Sequence, residues 1–295
     1  MLSPSAVPGL APAWRFSTGN EVFSSPAVVN GVAYVASMSS AVYALNAATG
    51  ARRWTFRSNG AVSSSPAVVG GRVFVGSQGS RVYALSAATG ARRWRVRLRT
   101  EVDASPALAD GVLYVPGDAG ELYALRAATG ARLWQVGVPG HADSAPAVAL
   151  GVVYLGTDHT DVGDLLAFDG ATGKPVWDIT DSDGAVDAAP AVASDVVYWA
   201  ANGSVSATSV ITGKNLWSVS VGAMPMDSDP AVADGVVYVG ASDGNLYAFD
   251  AATGSQLWAY NTGSPIQSSP AVADGRVYVG SDNGDEYAFA VPPGG

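Results

Sequence analysis

Residues 24–56 read SSPAVVNGVAYVASMSSAVYALNAATGARRWTF, and this stretch decides the fold. It contains four short runs suited to β-strands. The first, PAVV, begins at Pro26. Proline is tolerated at the first residue of a strand, where no ladder donor is lost. Asn30-Gly31 follows, a dipeptide that favours the type I′ turn of a two-residue hairpin; Asp110-Gly111, Asp234-Gly235 and Asp274-Gly275 stand at the same place further on. VAYVAS at 32–37 predicts the second strand and AVYAL at 41–45 the third. AATG at 47–50 predicts the next turn, and RRWTF at 52–56 the fourth strand. The first three runs are apolar at nearly every residue instead of alternating, which suits sheets covered on both faces.

The pattern returns along the whole chain. Trp recurs at 14, 54, 94, 134, 177, 217 and 258, and Pro at 26, 66, 106, 146, 190, 230 and 270, a period close to 40 residues. A period of that length with four strands per unit predicts an all-β chain, a seven-bladed β-propeller of four-stranded antiparallel blades. One domain is expected over 1–295, with an N-terminal extension at 1–11 and a tail at 291–295. The chain opens on a lone Trp-bearing strand, PAWRF, and its last unit stops after EYAFA without one. The first strand is therefore expected to complete the last blade and close the ring, leaving no interface exposed.

Composition narrows the function classes. None of the 295 residues is Cys, which excludes disulfide scaffolds, thiolate zinc sites, iron–sulfur clusters and cysteine nucleophiles. No apolar run reaches the roughly 18 residues of a membrane-spanning helix, so no membrane insertion is expected. The net charge of -9 argues against nucleic acid as the main partner. The charge is uneven: residues 1–132 hold 13 Arg and 6 acids, whereas residues 133–295 hold 3 basic residues and 19 acids. The N-terminus as written has neither a basic n-region nor a sustained apolar h-region, so no signal peptide is expected. That leaves a cytoplasmic chain or a mature extracytoplasmic domain, and a monomer is expected in either place.

The units, as in GVVYVGASDGNLYAFDAATGSQLW at 235–258, resemble the PQQ-like β-propeller repeat family, with G-x-V-Y-V-G, then L-Y-A-L/F, then A-x-T-G-x-x-x-W. The resemblance covers essentially the whole chain and is weakest at VSATSVITGKNLW, 205–217. It implies the fold and leaves function open. Family members include quinoprotein alcohol and glucose dehydrogenases, an outer-membrane assembly lipoprotein and sensor domains of bacterial protein kinases. The dehydrogenases usually have eight blades, and many carry a vicinal disulfide against the cofactor. Seven expected blades and no Cys speak against PQQ, and no cofactor is expected.

Positions repeated in every blade read as structure, and departures from the repeat read as function. Counting back three residues from each strand-opening Pro gives Phe23, Ser63, Asp103, Asp143, Asp187, Asp227 and Gln267. Counting back five gives Glu21, Ala61, Glu101, His141, Ala185, Pro225 and Pro265. These loops are expected around the mouth of a central channel. GTDHTDVGDL at 156–165 is expected on the same side, as a loop three residues longer than its equivalents, with Asp158, His159, Asp161 and Asp164. Such an acidic mouth has three readings. It is a site for a cation, Ca²⁺ being the candidate for ligands Asp103, Asp143, Asp187 and Asp227. It is a pocket for a small molecule, with His141 and Asp143 as the acid–base pair of a lyase, cyclase or hydrolase. Or its Asp residues merely cap turns. Met226 and Trp199 are candidate pocket walls, with gap-filling and core packing as the alternatives. Arg95, Arg97 and Arg99 alternate with Val96 and Leu98 on an outermost strand. They read as guards of an exposed sheet edge or as a docking strip for an acidic partner. The function expected is a binding module for a small ligand or a protein partner, with an enzyme or a bare scaffold as alternatives.

Overall fold

A computed structural model describes residues 16–290, apart from 23, 143, 160–161, 182–185, 187, 202, 222–227, 274–275 and 281–285. The chain divides into two compact units, Met1–Pro106 and Ala107–Gly295. Among the described residues every element is a strand, and no helix is long and apolar enough to cross a membrane.

The first unit contains two four-stranded antiparallel sheets, each a simple meander. One is β1 (Ala27–Val29), β2 (Val32–Ser37), β3 (Ala41–Asn46) and β4 (Arg52–Arg57); the other is β5 (Ala67–Val69), β6 (Arg72–Ser77), β7 (Arg81–Ser86) and β8 (Arg92–Arg97). The strands fall where the repeat predicts them. Asn30 and Gly31 have φ of 49° and 71°, the two positive values a type I′ turn requires. Val32, Tyr34, Ala36, Val42 and Trp54 of the first sheet form one core with Val73, Val75, Tyr83 and Leu85 of the second. Each sheet thus covers one face of the other's middle strands.

The second unit repeats the sheet. Its members are β9 (Ala107–Ala109), β10 (Val112–Gly117), β11 (Glu121–Arg126) and β12 (Arg132–Gly137); β13 (Ala147–Ala149), β14 (Val152–His159), β15 (Val162–Asp169) and β16 (Pro175–Asp181); β17 (Ala191–Ala193), β18 (Val196–Ala201), β19 (Ser204–Ser209) and β20 (Asn215–Ser220); then β21 (Ala231–Ala233), β22 (Val236–Gly240), β23 (Asn245–Asp250) and β24 (Gln256–Asn261). A last sheet has β25 (Ala271–Ala273), β26 (Arg276–Gly280) and β27 (Glu286–Ala290). The strand around Trp14 expected to complete it, the extension at 1–11 and the tail at 291–295 lie outside the described residues.

One contact explains the A-x-T-G-x-x-x-W signature. The indole N–H of Trp54 donates to Ala87 O at 2.9 Å, in the A-x-T-G turn of the next sheet. Trp134 donates to Gly170 O, Trp177 to Val210 O and Trp217 to Ala251 O, at 2.8–3.0 Å. The turn glycine then lies against the same indole. A Cβ on Gly90, Gly173 or Gly254 would stand 2.7 Å from Trp54, Trp134 or Trp217, and all three glycines have positive φ. Only glycine meets both demands. A second device is a buried serine two residues before the strand-opening Pro. Ser64 and Ser144 each bond the backbone of Gly76 or Gly156 in both directions, at 2.9–3.2 Å.

Two features differ from the sequence reading. Every four-stranded sheet has a β-bulge in its outer strand, as at Ala44/Leu45 opposite Arg52–Trp54. The stretch 156–165, expected as a loop, is instead mostly ladder. β14 and β15 continue pairing through Thr157↔Asp164, Asp158↔Gly163 and His159↔Val162. Its Asp, His, Thr and Gly composition resembles a loop, but a hairpin can carry polar residues beyond the packed core.

Candidate functional site

The β14–β15 hairpin positions the best-defined polar group of the second unit. β14 and β15 have eight residues each, against six in β10 and β11. The extra length reaches the segment that enters β13. There His141 forms an isolated antiparallel bridge with Asp158, its N–H donating to Asp158 O at 2.7 Å and its carbonyl accepting from Asp158 N at 3.1 Å. The imidazole turns toward the preceding sheet, with Nδ1 2.8 Å from Asp118 O and 4.0 Å from Asp118 Oδ1. Asp118 sits in the β10–β11 turn. One histidine therefore ties two sheets together, by backbone to one and by side chain to the other. The His141 side chain is 59% exposed and that of Asp118 39%, so the pair is open to solvent. Below it, Asp158 Oδ1 and Thr157 Oγ1 are buried without hydrogen-bond partners among the described residues. Asp164 is 3% exposed, opposite Thr157 and Thr180.

The other described candidates fall in both units. Asp103 is half-buried, and its Oδ1 accepts a 2.8 Å bond from Ser63 Oγ at the equivalent position of the neighbouring sheet. Glu21 and Glu101 are exposed, and the Glu21 carbonyl accepts from Met38 N at 3.0 Å and Ser37 Oγ at 3.1 Å. Gln267 is exposed. Trp199 is 4% exposed in a core with Tyr154, Leu165 and Val197, and its Nε1 donates to Thr208 Oγ1 at 3.1 Å. Phe23, Asp143, Asp161, Asp187, Met226 and Asp227 lie outside the described residues, as does the side chain of His159. Among the described residues no three His, Asp or Glu side chains are grouped to hold a metal ion.

Two acids escaped the sequence reading. Asp118 reaches His141 from 23 residues away, a pairing only the topology produces. Asp229 was legible: the residue just before the strand-opening Pro runs Ser25, Ser65, Ser105, Ala145, Ala189, Asp229, Ser269, with one acid among small residues. These positions bond from sheet to sheet. Ser25 N–H donates to Ser65 Oγ and Ser65 N–H to Ser105 Oγ, each at 2.9 Å. Ala189 N–H donates to Asp229 Oδ1 at 2.6 Å, and Asp229 N–H to Ser269 Oγ at 3.1 Å. Burial pushes the Asp229 carboxyl above the usual carboxylate range, against the lowering pull of its hydrogen bonds to Ala189 and Ser269.

The comparisons with known proteins fit this architecture. The structure of BamB from Moraxella catarrhalis superposes with a TM-score of 0.78 at 22% identity, over 96% of this chain and 87% of that one. The computationally designed Ika8 protein gives 0.78 at 19% identity, over 91% and 83%. A quinohemoprotein alcohol dehydrogenase from Comamonas testosteroni gives 0.65 at 18% identity, over 88% and 70%. At these identities the likeness shows the fold alone. No curated protein matches the sequence. The family model described as outer membrane protein assembly factor BamB matches residues 11–101, 78–229 and 201–292, and the chain belongs to that PQQ-like β-propeller family.

Proposed function

We propose that the chain is a protein-binding module, and that in its second unit the contact surface is the end of the sheets bearing the β14–β15 hairpin. The observation that carries the reading is the hairpin itself. It is the longest described departure from a repeat otherwise kept to six-residue central strands or shorter, and His141 ties it, at Asp158 near its end, to the neighbouring sheet. A rigid extension braced in this way suits a docking element better than a mobile loop does. The family's description as an assembly factor supports a partner that is a protein.

The test is site-directed photocrosslinking in the native host. A benzophenone amino acid replaces His159 at the hairpin end or, as the control, Thr172 in the turn at the other end of the same sheet. Discrete protein adducts from position 159 alone are expected. Adducts from both positions alike, or from neither, would remove the reading.

A second reading, a small cationic ligand, is supported by the open His141–Asp118 pair. Its test is a thermal-shift panel of Ca²⁺, Mg²⁺ and organic amines. A ligand at 100 times its Kd stabilises by about 2.7 kcal/mol. This reading requires that gain to vanish in Asp118→Asn. If His141 instead performs acid–base catalysis, His141→Ala lowers turnover by about 10²–10⁴-fold, whereas a binding module keeps binding with at most an altered affinity.

A further inference from the structure

The first unit carries eleven of the 16 basic residues and three of the 25 acids, Glu21, Glu101 and Asp103. Part of this charge lines a groove of about 610 Å³ along the outer strand of the first sheet. Arg52, Arg53 and Arg57 supply its charge, and the Phe16 and Tyr43 rings, 5.1 Å apart between centroids, its aromatic wall. The volume lies within the range of ligand sites. None of the three arginines is within ion-pair distance of a carboxylate among the described residues; Arg57 Nη1 donates to Ser39 O at 3.1 Å. Thr55 also lines the groove, and its Oγ1 is buried without a hydrogen-bond partner among the described residues. β4 pairs with β3 alone, so its other edge presents main-chain N–H and C=O groups unpaired by any described strand.

Guarding an edge against aggregation is the bland role for such charge. The same chain argues against it as a full account. β20 and β24 occupy the same place in their sheets as NLWSVS and QLWAYN, with no charged residue, whereas β4 reads RRWTFR. The fold therefore does not require charge at this edge. Three arginines there repel one another until counter-charge arrives. The free main-chain edge selects what brings that charge. An extended polypeptide supplies amides to continue the ladder, and its alternate side chains fall about 6.6–6.8 Å apart on one face. Thr55 and Arg57 share a face of β4 with that same two-residue spacing.

We propose that the groove along β4 docks an extended, acidic polypeptide segment of a protein partner, which adds to the free edge of β4 as a further strand and sets carboxylates on Arg52, Arg53 and Arg57. The proposal rests on the protein-binding reading for the class of partner, and it concerns a different surface in the other unit.

The probe is a fluorescein-labelled Glu-Val-Glu-Val-Glu-Thr peptide, titrated with the full chain and followed by anisotropy. Three competitors run beside it: the Gln-for-Glu peptide, the acidic peptide N-methylated at alternate amides, and an oligothymidylate of similar charge. The acidic peptide is expected to bind, and both altered peptides to bind at least about tenfold more weakly. In the Arg52→Gln, Arg53→Gln, Arg57→Gln variant, checked for an unchanged melting temperature, the loss is also at least about tenfold. Arg53→Gln alone gives a partial loss if the triple variant is unstable. Neutralising Arg92, Arg93, Arg95 and Arg97 of β8 leaves binding in place. Failure of the acidic peptide to bind, equal binding of the N-methylated peptide, tighter binding of the oligonucleotide, or equal loss in the β8 variant overturns the proposal. Crosslinking at position 159 is scored separately, so loss of the hairpin reading leaves this result standing, and the reverse.

Discussion

At the scale of single residues, the sheet-to-sheet bonds make unequal demands. Tyr114 and Tyr198 donate to Gly170 O at 3.1 Å and Ala251 O at 3.2 Å, the same carbonyls that Trp134 and Trp217 use. Tyr154 is their equivalent, yet its hydroxyl is buried without a partner among the described residues. Burial, with Asp195 adding to it, pushes the Tyr154 phenol up to about 12. Tyr114→Phe and Tyr198→Phe are expected to cost about 1 kcal/mol each in urea unfolding, while Tyr154→Phe is neutral or stabilising. Phe74 already occupies this position beside Trp94, at 5.9 Å between ring centroids. An equal cost at all three tyrosines would show that Tyr154 has a partner. Asp229 carries a pH dependence. Its carboxyl pKa is raised by folding, so the folded chain holds that proton more tightly than the unfolded chain does. The protonated form therefore stabilises at acid pH. That contribution is lost as pH rises from the ordinary carboxylate value through the raised one. Asp229→Ser restores the residue found at Ser65, Ser105 and Ser269. Its melting temperature is expected to exceed the parent's by a margin that grows across that window and then levels off. A margin that shrinks with rising pH would contradict the raised pKa.

At the scale of elements, the β13–β14 turn breaks its own rule. Leu150 has φ of 52° and is 71% exposed, where sister turns place Asn30, Asp110 and Asp234. A branched apolar residue gains nothing from solvent there and strains the backbone. Leu150→Asn is expected to stabilise by about 0.5–1 kcal/mol, read from the denaturation midpoint at unchanged slope. The elements were the most legible part of the sequence. Pro26, Asn30-Gly31, AATG and Trp54 each mark one point of the sheet, and the strands lie between them. The bulge opposite Ala44/Leu45 was not legible, because Arg52 and Arg53 look alike in any register. The β14–β15 extension was misread because its pairing comes from continuity with a good hairpin and not from β-propensity. The candidate site was less legible still. Phase within the repeat exposes Asp103 and would have exposed Asp229, but His141 meets Asp118 through topology alone, and sequence distance carries no sign of it.

At the scale of the whole chain, charge and fold follow different rules. The fold repeats with little change, while basic residues collect in Met1–Pro106 and acids in Ala107–Gly295. Repeats stabilised by nearest neighbours leave their outer surfaces free to diverge in this way. The tryptophan bond has a further consequence. Its donor and acceptor sit on consecutive sheets, 33 residues apart for Trp54 and 36 for Trp134, where the longer β14–β15 hairpin intervenes. Trp54, Trp134, Trp177 and Trp217 thus each hook their own repeat to an eye in the next. An in-frame gain or loss of one repeat hands every hook another eye of the same shape. A change in the number of units therefore leaves the chemistry of each such joint as it was.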